Sequence, residues 1–219
     1  MPTEPADRPR LVLATANPHK LTELTRILHA ERLDVDLLGL AEFPGAPDVP
    51  ETGATFVANA LLKARAVAAF TGMPSVADDS GLCCDALNGM PGVLSARWSG
   101  RHGNDAENLR LVLAQISDVT GDRRGAHFYC VAALVRPSGE ETLSAGSLRG
   151  RLIREPRGTN GFGYDPIFVP DGENRTTAEM TADEKDAISH RGRAFRGLTE
   201  TIAALPGPGT VGLDRKDGT

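Results

Sequence analysis

The stretch AHFYCVAALVRPSGEETLSAGSLRGRL, residues 126–152, reads as two long strands about a Pro-Ser-Gly turn, the signature of a β-hairpin. A hairpin of that length puts antiparallel pairing into the sheet. Upstream, RLVLAT (10–15) and VDLLGL (35–40) are short apolar strands, and between them Leu21, Leu24, Ile27 and Leu28 recur at the spacing of one helical face. The Pro-rich FPGAPDVPETG (43–53) is a loop, and ATFVANALLKARAVAAF (54–70) is a helix on propensity alone. SVADDSGLCCDAL (75–87) reads as strand, interruption, strand, and NDAENLRLVLAQI (104–116) as a helix capped by Asn104 or Asp105. The end is helical from TADEKDA (181–187) through SHRGRAFRGLTETIAAL (189–205). The class is α/β with a mixed sheet, without internal repeats and without the regular alternation of a doubly wound fold. Residues 10–205 are expected to form the domain, with 1–9 and 206–219 as disordered tails.

Composition limits the partners. Of 219 residues, 24 are Lys or Arg and 29 Asp or Glu, and the formal net charge of -5 argues against duplex nucleic acid, whose binding is driven by excess basic charge. The opening MPTEPADRPR lacks the apolar core of a signal peptide, and no later run reaches the roughly 20 apolar residues of a membrane span, so a soluble cytoplasmic protein is expected. Cys83, Cys84 and Cys130 have neither disulfide-framework nor metal-ligand spacing and read as reduced core residues.

Four places depart from what packing alone would choose. In TANPHK (15–20) a strand ends and a helix begins at an ammonium, so that free N–H groups and Lys20 converge where phosphate oxygens bind; Thr15 and Asn17 are equally ordinary turn and cap residues. In ETGATFVANALLKA (51–64), Glu51 precedes a helix that carries Lys63, which with Arg65 also reads as a solvated face. Asp78-Asp79-Ser80-Gly81 places two carboxylates at the end of a strand, where Glu51 would complete the oxygen-rich set that Mg²⁺ prefers; a plain turn uses the same residues. GTNGFGYDPIF (158–168) is too Gly-rich for a helix and suits a backbone folded around a ligand, with an aromatic ring to stack on a base. Neither a P-loop lysine nor a dinucleotide fingerprint is present there. Downstream, Lys185, Ser189, His190 and Arg191 gather donors about a helix break.

Taken in order, TANPHK, ETGATFVANALLKA, ADDSGL, GVLSARWSG, GTNGFGYDPIF and AEMTADEKDAISHRGRA resemble the inosine/xanthosine triphosphate pyrophosphatase family over residues 10–205. The resemblance implies a long twisted central sheet with two lobes enclosing a substrate cleft, a homodimer, and Mg²⁺-dependent hydrolysis of ITP, dITP and XTP to monophosphate and pyrophosphate. It implies Thr15, Ala16, Asn17, Pro18, His19, Lys20 and Lys63 as triphosphate contacts and Glu51 and Asp79 as metal ligands, with Asp79 also the general base. It implies Ser80, Phe162, Gly163, Tyr164, Asp165, Lys185, His190 and Arg191 as substrate contacts, the later ones at the base. Ala16 and Pro18 stand where bacterial members often have Gly and a non-Pro residue. A Maf-like pyrophosphatase of other base specificity and a purine nucleotide sensor without catalysis are the rival readings. Strand alternation points Asp78 and Asp79 to opposite faces, so Asp78 is expected to matter less than Asp79.

Overall fold

The computed structural model describes residues 8–207. Six strands form one mixed sheet in the order β2-β1-β3-β4-β5-β6. β1 (Arg10–Leu13) lies parallel to both β2 (Asp36–Gly39) and β3 (Ser75–Cys84). β4 (Gly125–Val135) and β5 (Glu141–Leu152) form the hairpin, antiparallel to β3 on one side and to β6 (Phe168–Pro170) on the other.

Helices cover both faces of the central strands, which explains why β1 and β4 read as continuous apolar runs. Leu11, Leu13, Val76, Cys130, Ala132 and Leu134 turn to one face and pack under α1 (Pro18–Ala30) and α5 (His190–Arg196). Val12, Ala14, Ala77, Val131 and Ala133 turn to the other, under α2 (Phe56–Thr71), whose buried Ala60, Ala64 and Ala68 let it lie close to the sheet. α2 starts at Thr55, whose hydroxyl accepts from Ala58 N at 3.1 Å, and stops at Gly72, which takes a left-handed φ of 66°. A third cluster, with Leu82, Cys84, Phe128, Leu148, Tyr164 and Phe168, fills the far ends of the long strands beside α3 (Asp105–Gln115).

Two local expectations give way. β3 runs unbroken through Asp78-Asp79-Ser80-Gly81, pairing residue by residue with Val135 back to Ala126, so the two aspartates sit in mid-strand and form no turn. Ladder pairing to β4 supplies the backbone bonds that a turn would have supplied. The Asn104 side chain makes no cap bond to α3, and the Asp105 carboxylate accepts from Gly163 N instead. The expected helix break about Ser189 is present: the C-terminal stretch comprises α4 (Ala182–Ile188), α5 and α6 (Thr199–Ala203), with extended Ser189 ending α4 and its hydroxyl capping α5 through Gly192 N at 2.9 Å. The expected tails lie outside the described residues at 1–7 and 208–219; Arg8 pairs with Asp34 and the Pro9 carbonyl accepts from Asp36 N, extending the β1–β2 contact. Among the described residues no helix is long and apolar enough to cross a membrane. All three cysteines are free and buried.

One glycine sets how α5 meets the sheet. A Cβ on Gly146 of β5 would run into the His190 carbonyl oxygen and come within 2.7 Å of Ala194 N. Gly146→Ala is therefore expected to cost about 1–3 kcal/mol, lowering Tm by roughly 2–4 °C per kcal/mol in thermal melts of a chain this size. Gly121→Ala, with open space around it, serves as the control and should stay within about 0.5 kcal/mol of the parent. Equal melting of both variants would mean that α5 does not depend on this close approach.

Candidate active site

Alternation along β3 sends its adjacent carboxylates into two environments. Asp78 shares the face of Val76 and meets α1 and α5; Asp79 shares the face of Ala77 and meets α2. Asp78 Oδ2 accepts from Lys20 Nζ at 3.0 Å, from Arg191 Nε and Nη2 at 3.2 Å each, and from Ser80 Oγ at 3.2 Å. Its other oxygen is buried without a partner. From the opposite face Lys63 Nζ reaches the Asp78 carbonyl at 2.8 Å, so one residue gathers cations from three helices. Asp78 is thus held more tightly than the sequence suggests: without its charge Lys20 loses its carboxylate and the buried Arg191 keeps only Glu23, and unpairing a buried charge is among the costlier changes a core can suffer.

At one end of the site lie residues 15–20 and the second carboxylate pair. Asn17 Oδ1 accepts from His19 N at 2.9 Å and caps α1, with Pro18 at its first turn and Thr15 Oγ1 accepting from Asn17 N. Ala16 is exposed beside them. Lys63 is not part of a solvated face. Its ammonium lies 2.7 Å from Glu51 Oε1 and 3.7 Å from Asp79 Oδ1, while Arg65, two residues on, is the exposed one and pairs with Glu141. Arg97 holds Glu51 by its carboxylate and by its carbonyl, both at 3.0 Å. Asn59, fully buried on α2, donates to Asp79 Oδ2 at 2.9 Å and accepts from Gly53 N at 2.7 Å, fixing the carboxylate and the loop that carries Glu51 together.

The Gly-rich loop forms the other end. Phe162 N donates to Asp165 Oδ2 and Gly163 N to Asp105 Oδ2, both at 2.9 Å, and Gly161 and Gly163 take φ values of 74° and 64° that suit glycine. Lys185 Nζ donates to Asp165 at 2.6 Å and to Glu23 at 3.1 Å, and Arg191 Nη1 pairs with Glu23 while its Nη2 donates to Ser80 Oγ at 2.8 Å. Lys185 Nζ stands 5.0 Å and Arg191 Cζ 5.7 Å from the centre of the Phe162 ring, and the His19 ring stacks on it at 5.5 Å. Tyr164 is a tie rather than a lining group: its buried hydroxyl donates to the Ser95 carbonyl at 2.9 Å. His190 is packed inward, stacked on Phe128 at 4.7 Å, with Nδ1 unpartnered.

Electrostatics follow the two faces. Burial tends to raise Asp78, but Lys20, Arg191 and Lys63 overcome it and hold the carboxylate far below the ordinary range. Burial likewise opposes ionisation of Glu23, yet Arg191 and Lys185 bring it down to about 2. Glu51 is lowered too, Lys63 and Arg97 outweighing its burial. Asp79 goes the other way: burial first, with the Glu51 charge adding to it, raises it in spite of Lys63 and Asn59. Burial, helped by Arg191 and Lys185, keeps His190 neutral.

The Glu51 and Asp79 carboxylates both face the Lys63 ammonium, at 2.7 and 3.7 Å. Hard oxygen donors of this kind suit Mg²⁺, which takes one or two carboxylates with waters and phosphates in its other positions, and such an ion would compete with the ammonium for both. Among the described residues no group of three or more His, Cys, Asp and Glu side chains forms a cage.

Glu23, Asn59, Arg97 and the central role of Asp78 were not read from the sequence. Asn59 had a signal, as a polar residue one helical turn before Lys63 in an Ala-rich helix; Glu23 had one too, following Lys20 by three on α1. Arg97 lies within GVLSARWSG, and nothing in its local pattern points to Glu51.

Fold and site define a mixed α/β protein with a single polar site that crosses its central strand. The chain belongs to the Ham1 family, which it matches over residues 11–201. It is 59% identical over 198 residues to a dITP/XTP pyrophosphatase of Streptomyces coelicolor, covering 90% of this chain and 99% of the relative. Among solved structures, a nucleoside-triphosphatase / dITP/XTP pyrophosphatase from Mycobacterium abscessus aligns with a TM-score of 0.71 at 57% identity, covering 86% of this chain and 98% of that one. A HAM1 protein from Coxiella burnetii aligns with a TM-score of 0.79 at 43% identity, covering 89% and 98%.

Glu23 gives the site a signature in acid. Its folded pKa lies below the ordinary carboxylate value of 4.5, so its stabilising effect is complete above pH 4.5 and is lost as pH falls toward about 2. Urea unfolding across that range should show the parent losing up to about 3 kcal/mol more than Glu23→Gln, which has no proton to take up there. Parallel pH profiles for the two proteins would contradict the assignment of Glu23 as the buried counter-ion.

Proposed function

We propose that the protein hydrolyses the non-canonical purine nucleoside triphosphates ITP, dITP and XTP to the monophosphate and pyrophosphate. One observation carries the reading: Lys20, beside the phosphate loop, and Arg191, beside the Phe162 ring, share a single oxygen of Asp78. A ligand satisfying both must have an anionic end and a flat, hydrogen-bonding end, and nucleoside triphosphates have that form. The names of relatives at 52–59% identity support the same reading, and Ham1 membership removes the Maf-like alternative.

In this mechanism residues 10–205 act as one two-lobed unit with the substrate in the cleft between the lobes. Lys20 and Lys63 neutralise the triphosphate and the departing pyrophosphate, with the N–H groups at the start of α1 nearby. Asp79, its pKa raised by burial, accepts the proton of the water that attacks the α-phosphorus. Asn59 keeps that carboxylate aimed. Glu51 and Asp79 would hold Mg²⁺, which when bound would supply charge neutralisation for the phosphates and a lowered pKa for the water. The base stacks on Phe162 while Lys185 and Arg191 donate to its edge; the 6-oxygen of hypoxanthine or xanthine accepts, and the 6-amino group of adenine does not. His190 supports this corner from within, through its stacking on Phe128. By the same family resemblance the protein works as a cytoplasmic homodimer.

The test is pyrophosphate release from a panel of ribo- and deoxynucleoside triphosphates with and without Mg²⁺. ITP, dITP and XTP should turn over, GTP weakly, and ATP least, all only with the metal. Asp79→Asn should lose at least about tenfold in kcat, and Lys20→Ala or Lys63→Ala about ten- to a hundredfold in kcat/KM. Saturable ITP binding with no pyrophosphate would leave a nucleotide sensor in place of the enzyme.

A further inference from the structure

We propose that the purine enters between His19 and Phe162, making His19 the second wall of a base clamp and not a phosphate contact. The two rings lie nearly parallel, 19° apart, with centres 5.5 Å from each other, and they come from opposite walls of the site. Phe162 belongs to the Gly-rich loop, and its backbone is fixed on both sides by Asp165 and Asp105. His19 belongs to the first turn of α1, where its ring is exposed and its backbone N–H is tied to Asn17. One wall is therefore anchored and the other is free to change rotamer.

The spacing supports an insertion. Stacked carbon planes touch at about 3.5 Å, so a base between two rings needs them about 7 Å apart. With the ring centres 5.5 Å apart the slot is closed, and a rotamer change of the exposed His19 side chain is the movement that would open it. A base in that slot would have Lys185 and Arg191 beside it, since both cations already stand over the Phe162 ring. Recognition is then divided. The two rings supply affinity that any flat base can use, and the two cations supply the choice among bases.

The inference rests on the reading of this site as one for purine nucleoside triphosphates. It is tested with His19→Ala and His19→Phe, measuring KM for ITP, the ITP to ATP ratio of kcat/KM, and inhibition by inorganic pyrophosphate, which has no base. His19→Ala should raise KM for ITP by about 5- to 150-fold, the range that stacking on one base carries. The ITP to ATP ratio and the pyrophosphate inhibition constant should both stay within about twofold, since the lost contact reads neither the base edge nor the phosphates. His19→Phe should recover most of the lost KM, because an aromatic face is restored. Weakened pyrophosphate inhibition in step with the rise in KM would make His19 a phosphate residue and overturn the clamp. An unchanged KM in His19→Ala would overturn it as well. A parent protein that hydrolyses no purine triphosphate would overturn the functional reading itself, and the two failures are distinguished by that control.

Discussion

One carboxylate oxygen, Asp78 Oδ2, is the constraint around which the site is arranged. Buried charge is tolerated only when paired and hydrogen-bonded, and this oxygen takes Lys20 from α1, Arg191 from α5 and the Ser80 hydroxyl of its own strand. Lys63 closes the set from the other face through the Asp78 carbonyl. Asp78 can occupy that place because β3 continues straight through it, with Ala132 of β4 opposite. α1 and α5 must then lie on one face and α2 on the other, which is also what the apolar residues of β1, β3 and β4 require. Packing and ion pairing specify the same arrangement.

The second consequence is a division of chemistry within a dipeptide. Lys20, Lys63, Lys185, Arg97 and Arg191 are balanced by Glu23, Glu51, Asp78, Asp79 and Asp165, five charges of each sign. They are not shared evenly. Three cations depress Asp78, which stays ionised as a structural anion, while Asp79 stands near Glu51 and keeps a raised pKa. Neighbouring carboxylates are thus pushed in opposite directions, a separation by environment that the period of two along a strand makes possible.

The hairpin, the helical stripe of α1 and the Ala-rich α2 were legible because each is a local pattern with one period. The continuity of β3 was not. Asp-Asp-Ser-Gly is turn-like by composition, and only pairing with a strand some fifty residues away makes it extended. β6 escaped for the same reason, being three residues that owe their form to β5. For the site, residues in ordered motifs were named and most of them converge; Tyr164 and His190 lie behind the surface they were expected to line. Their partners Glu23, Asn59 and Arg97 act through other side chains across the fold, and long-range pairing leaves almost no trace in local sequence.

If base and phosphates are held in one register across Asp78, water from the Asp79 side meets the α-phosphorus. Hydrolysis of ITP in ¹⁸O-labelled water, followed by mass analysis of both products, locates the attack. One labelled oxygen is expected in the monophosphate and none in the pyrophosphate. Label in the pyrophosphate, or orthophosphate as the released product, would place the attack at another phosphorus and rule that register out.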